Sequence, residues 1–167
     1  DKEKGEKMLG RLLLVLCSWA ILAGCSVPII YVKQDLGLGG RKITIPSGFT
    51  IVNESGRDIE EKMKAISDAV ELGFETLKTC INDSEFPGQE LKDVPLVLLP
   101  PEMLYVLGKK SAGFADGIRI YLRSDYIWAS KLRHEWIHVY LWRTGRRAFG
   151  DIFHRDPLFK KCEYVLS

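Results

Sequence analysis

The stretch from Ser124 to Gly145 constrains the fold of this 167-residue chain more than any other. Trp128, Leu132, Trp136 and Tyr140 recur at intervals of four, the spacing of one face of an α-helix. Ser124 is a residue type that accepts N-terminal amide hydrogens, and Gly145 one that ends helices. The pattern therefore predicts a helix from about Asp125 to Thr144. Within it stands His134-Glu135-Trp136-Ile137-His138. Positions i and i+4 differ by about 40° around a helix axis, so both imidazoles can reach one divalent ion. Glu135 sits beside them, placed to take a proton from a water on such an ion. The aromatic and leucine stripe is expected to face the core and leave the histidine face to a cleft.

The chain contains 3 His in all, and the third, His154, lies in Phe153-His154-Arg155-Asp156-Pro157. A catalytic zinc site takes three protein ligands and keeps one position open. His134, His138 and His154 would fill such a set, and Gly145 and Gly150 let the intervening loop fold back over the helix. Glu163, Asp151 and Asp156 are the alternatives for the third ligand.

The rest of the chain alternates strand and helix signals. Val27–Val32, Ile43–Ile45 and Phe49–Val52 are short β-favouring runs separated by glycine and proline. Ile59, Met63, Ile66, Val70, Leu77 and Ile81 predict an amphipathic helix over 58–81, with Ser55 as its N-cap. Val94–Leu99 reads as a strand, with Pro95 at its start or on an edge. Pro101 is placed to open a short helix through Leu107. Phe114-Ala115 and Ile118–Leu122 flank Asp116-Gly117, a two-residue hairpin signal. Pro157 is expected to start a last helix carrying Leu158, Phe159 and Cys162.

This order of helix, strand, hairpin, HEWIH helix and a histidine near a final helix resembles the SprT-like and related small zincins, over roughly residues 58 to 165. The resemblance implies an α+β, minimal zincin-like domain: a helix, a short mixed or antiparallel sheet with a hairpin, the active-site helix and a C-terminal helix. It implies a Zn2+-dependent peptidase whose third ligand is a downstream histidine, which maps to His154. The chain has no CxxC pair, so the family's cysteine zinc ribbon is missing and no nucleic-acid partner is expected. The implied partner is a protein or peptide substrate. Glu135 would act as general base. Arg155 and Tyr164 are candidates to stabilise the oxyanion. Asp151 or Asp156 could orient a ligand imidazole. The strand Ile118–Leu122 could offer its edge to an extended peptide.

The N-terminus reads as a targeting segment. Lys2, Lys4, Lys7 and Arg11 precede an apolar run from Leu12 to Ala23, shorter than the roughly 20 apolar residues of a membrane span. Leu22-Ala23-Gly24-Cys25 then resembles the lipobox of bacterial lipoproteins. That resemblance implies cleavage before Cys25 and a lipid on its sulfur. The expected organisation is a signal peptide over 1–24, a lipidated N-terminus with a tether and short strands over 25–56, and a metallopeptidase domain over 57–167. The expected location is the bacterial envelope, membrane-anchored and facing the periplasm or exterior. Cys80 and Cys162 are left in an oxidising compartment, where they either pair or stand apart as buried thiols.

Composition adds little. Net charge is +2 and 28% of residues are charged, which points to no particular partner. Charge is uneven, with seven acids and three bases over 54–75 and eight bases and three acids over 131–161. Two other readings compete with the peptidase. One is a non-catalytic zinc-binding or assembly lipoprotein, against which the intact Glu135 argues. The other is a zinc hydrolase acting on a non-peptide envelope substrate or a peptidoglycan cross-link.

Overall fold

The computed structural model describes residues 31–32, 40–82, 86–106, 108–147 and 150–162. Cys25 and the segment before it, together with Glu163 and Tyr164, lie outside the described residues.

The architecture is α+β. In chain order the strands are β1 (Tyr31–Val32), β2 (Arg41–Thr44), β3 (Thr50–Asn53), β4 (Leu96–Leu99), β5 (Leu104–Val106), β6 (Lys109–Lys110), β7 (Gly113–Ala115) and β8 (Ile120–Arg123). The main sheet has the order β2-β3-β4-β8-β7. Its β2–β3 and β7–β8 pairs are antiparallel, while β3–β4 and β4–β8 are parallel. A small antiparallel sheet runs β1-β5-β6. The helices are α1 (Met63–Ile81), α2 (Gly88–Lys92), α3 (Ala129–Arg143) and α4 (Pro157–Cys162). No helix among the described residues is long and apolar enough to cross a membrane.

β4 is the centre of the sheet. All four of its residues are buried, as befits a strand covered on both faces. Alternation sends Leu96 and Leu98 into the helix-side core and Val97 and Leu99 into a second cluster with Leu104 and Phe114. Residues 41–53 belong to the same sheet, and Ile45, Phe49 and Ile51 to the same core, so they pack as one unit with the residues after 57.

α1 buries Ile66, Val70, Gly73, Phe74 and Leu77, one face of a helix. It crosses α3 at Gly73, where a Cβ would lie 2.6 Å from the Ala129 carbonyl oxygen. Beside the crossing, Phe49 and Phe74 meet the fully buried Trp136 at ring-centroid distances of 5.3 and 5.4 Å. A disulfide joins Cys80, in the last turn of α1, to Cys162, at the end of α4, with a Cα–Cα distance of 5.7 Å.

Several local expectations are corrected. Ser124 does not cap α3, which begins at Ala129 with Trp128 extended at its N-cap and no side-chain cap. The Ser124 amide donates instead to the Leu99 carbonyl at 2.9 Å, prolonging the β8–β4 ladder. Sheet pairing wins over the local cap. Trp128, 59% exposed, falls outside the core stripe that Leu132, Trp136 and Tyr140 form. Every residue from Leu132 to Leu141 is buried, because α1, β7 and α4 all pack against α3.

Ser55 does not cap α1. Its hydroxyl accepts the Arg57 amide, while the Asp58 carboxylate accepts the Glu60 amide at 2.9 Å and opens a 3₁₀ turn over Glu60–Lys62 that leads into the helix. Pro101 opens no helix. Met103 donates back to the Pro100 carbonyl in a turn, and the chain re-extends as β5, paired on both sides. The hairpin turn sits one residue later than Asp116-Gly117. The Asp116 amide donates to the Arg119 carbonyl at 3.2 Å, leaving Gly117 (φ +79°) and Ile118 as its central pair. The following strand is therefore Ile120–Arg123, not Ile118–Leu122, and it lies between β4 and β7 rather than at an edge.

Candidate metal centre

α3 presents His134 and His138 one turn apart, and the loop before α4 brings His154 to them. His138 Nε2 lies 3.3 Å from His134 Nε2 and 3.2 Å from His154 Nε2. One ligand atom from each of the three rings falls within 4.8 Å of the others. Ligand nitrogens at about 2.0–2.1 Å from a tetrahedral ion stand about 3.3 Å apart, which is the spacing of His138 Nε2 from each of the other two rings. His138 Nδ1 donates to the Gly150 carbonyl at 2.7 Å. In the neutral ring that hydrogen bond leaves the Nε2 lone pair aimed into the cluster. The three histidines can thus hold a metal ion, two of them buried and His154 exposed.

Burial above all, then the Lys131 charge, then the neighbouring imidazoles, push His134 down to about 2. The ring is therefore neutral, as a ligand must be.

The loop that delivers His154 is bent by left-handed backbone. Gly150, Asp151 and His154 have φ of +63°, +59° and +53°. Asp and His are among the few residue types that tolerate this region. A Cβ at Gly150 would lie 2.5 Å from the His138 carbonyl oxygen, so glycine alone lets the loop return against α3 there. The His154 amide closes the bend on the Asp151 carbonyl at 2.8 Å. The Asp151 carboxylate accepts the Asp156 amide. Asp156 in turn accepts the Leu158 amide at the start of α4 and pairs with Arg146 and Arg147. These two aspartates build the loop, and neither joins the group of converging ligand atoms. A backbone carbonyl, not a carboxylate, fixes His138.

Phe159 of α4 backs the cluster, with its ring centroid 5.3, 4.7 and 4.6 Å from those of His134, His138 and His154. The disulfide ties the same short helix to α1.

Glu135 is 1% exposed, and its carboxylate meets Lys131 Nζ at 2.7 Å. It lines a cavity of about 130 Å³ with the three histidines, Lys131 and the residues of β7. β7 is the edge of the main sheet. Pairs 112–123 and 116–119 are bonded toward β8, so alternation turns the main-chain groups of Gly113 and Ala115 away from β8. The Gly113 carbonyl there accepts the Ser111 hydroxyl at 2.7 Å. The sheet edge at the site is thus β7, in place of the strand Ile118–Leu122 expected from the sequence.

Arg155 is exposed, with its guanidinium 5.2 Å from the Phe153 ring centroid, and it does not line the cavity. Gly150 returns the loop to α3 as its sequence position suggested, whereas the places of Gly113, Lys131 and Phe159 at the site were not apparent from the sequence. Of these three, only Lys131 carried a local signal, since it precedes Glu135 by four residues on the same helix.

Comparison with protein-family models, with curated proteins and with solved structures found no match.

Proposed function

We propose that the protein is a zinc-dependent peptidase. The observation that carries this reading is the meeting of three imidazole nitrogens beside a buried glutamate, in a cavity bordered by β7, the last strand of the main sheet among the described residues. Three converging imidazole ligands suit zinc. A zinc ion held by His134, His138 and His154 would supply Lewis acidity, polarising a carbonyl and acidifying a water.

The remaining work falls to the chain. Glu135 accepts the proton of the attacking water on its carboxylate and returns it to the leaving amine. Gly113 and Ala115 of β7 receive an extended peptide as an added strand. Phe159 keeps one side of the imidazoles dry. The reading agrees with the likeness to SprT-like zincins carried by HEWIH and His154.

We also place the protein in the bacterial envelope, anchored by a lipid on Cys25. The lipobox supports this, and so does the Cys80–Cys162 disulfide, which suits an oxidising compartment.

The deciding experiment is Glu135→Gln. We expect hydrolysis of a mixed peptide substrate to fall by about 10²–10⁴, with one zinc still bound per chain. Wild-type hydrolysis by this variant would overturn the peptidase reading.

A further inference from the structure

The ion pair inside the cavity is not an ordinary helix-surface pair. Lys131 precedes Glu135 by four residues, which is the weaker order for stabilising a helix. The Glu135 side chain is 2% exposed and that of Lys131 21%. Both line the cavity with the three histidines. The opposite wall is shaped to receive them. A Cβ at Gly113 of β7 would lie 2.7 Å from Glu135 Oε1 and 3.0 Å from Lys131 Cε. The sheet edge therefore lacks a side chain at the place where the carboxylate and the lysine stem press against it.

We propose that Lys131 is a positioning residue that clamps the Glu135 carboxylate against the backbone of β7 beside the histidine cluster. The mechanistic part of this proposal rests on the peptidase reading. A glutamate has three rotatable side-chain bonds, and a general base must stand within about 2.6–3.2 Å of the proton it takes. A displacement of about 1 Å costs on the order of 10² in rate. Lys131 supplies a charge-assisted hydrogen bond to one carboxylate oxygen, Oε1. That contact fixes the side-chain torsions. Gly113 completes the clamp by letting the pair approach the strand.

The test uses the full chain with Lys131→Met, Lys131→Arg and Gly113→Ala, and Glu135→Gln as reference. With zinc bound, Lys131→Met should lose about 10- to 100-fold in kcat. KM should stay within about twofold. Zinc affinity should change less than the roughly tenfold minimum seen when a ligand's own partner is removed. Lys131→Arg should recover most of the rate, and Gly113→Ala should share the loss. A second readout needs no turnover. Crystal structures of metal-free Lys131→Met and Gly113→Ala should show the Glu135 carboxylate displaced from β7. Unchanged or raised kcat in Lys131→Met, or an unmoved carboxylate in both crystal structures, would overturn the clamp. Should Glu135→Gln retain full activity, the peptidase reading falls, and the metal-free structures still decide whether Lys131 positions Glu135.

Discussion

His138 Nδ1 and the carbonyl oxygen of Gly150 stand 2.7 Å apart, so the residue that lets the loop return to α3 also sets which nitrogen of His138 faces the cluster. Gly150→Ala meets two obstacles, a φ of +63° and a Cβ 2.5 Å from a backbone oxygen. Neither relaxes without moving the loop. We expect metal affinity to fall by about 10- to 100-fold, the range for losing a ligand's hydrogen-bond partner. Competition with a chromophoric chelator measures it, and wild-type affinity would refute the assignment.

The depressed His134 value has a sign that can be checked in the metal-free protein. The ordinary histidine value is 6.5, and burial pushes His134 to about 2. Between these values the unfolded chain binds a proton that the folded chain does not, so stability falls as pH is lowered through this window. His134→Gln removes that contribution. Its Tm should decline less steeply than that of the wild type between pH 6.5 and 4, by calorimetry in the presence of a chelator.

Gly73 offers a contest of two effects. Alanine is the better helix former by about 1 kcal/mol. Its Cβ, however, would stand 2.6 Å from the Ala129 carbonyl oxygen. Overpacking of this kind costs about 1–3 kcal/mol. We expect Gly73→Ala to be destabilising by urea denaturation, and a gain in stability would show that α1 and α3 can move apart freely.

Replacing Cys80 and Cys162 with serine opens a covalent link between positions 82 residues apart. In the chain-entropy account that costs about 4 kcal/mol, a fall in Tm on the order of 10 °C. Because α4 carries Phe159 against the three imidazoles, zinc affinity should weaken as well. An unchanged Tm would mean that the packing of α4 holds without the bridge.

What the sequence made legible was what periodicity and residue scarcity encode. HEWIH fixes its own geometry once it is helical, and with 3 His in the chain a third imidazole beside it had one residue to come from. The apolar run at β4 and the α1 face were equally plain. The errors share a cause. Ser124, Ser55 and Pro101 each carried a local signal that long-range pairing overrode: the β8–β4 ladder took the Ser124 amide, and β1 and β6 drew residues 104–106 into a strand. The choice of edge strand turned on a one-residue shift of the hairpin turn and on strand order, neither of which local sequence specifies. Gly150 could be read as a loop glycine, but Gly113 matters for what it lacks, and a missing side chain inside a strand leaves no pattern until its neighbours are in place.

The residues that line the site run from Val106 to His154, all between Cys80 and Cys162. The whole centre thus lies inside one covalent ring. A single backbone cut in any loop of that ring leaves two pieces still joined through sulfur, with all three histidines aboard the same molecule. For a chain proposed to sit in the bacterial envelope, the ring would keep a once-nicked centre in one piece.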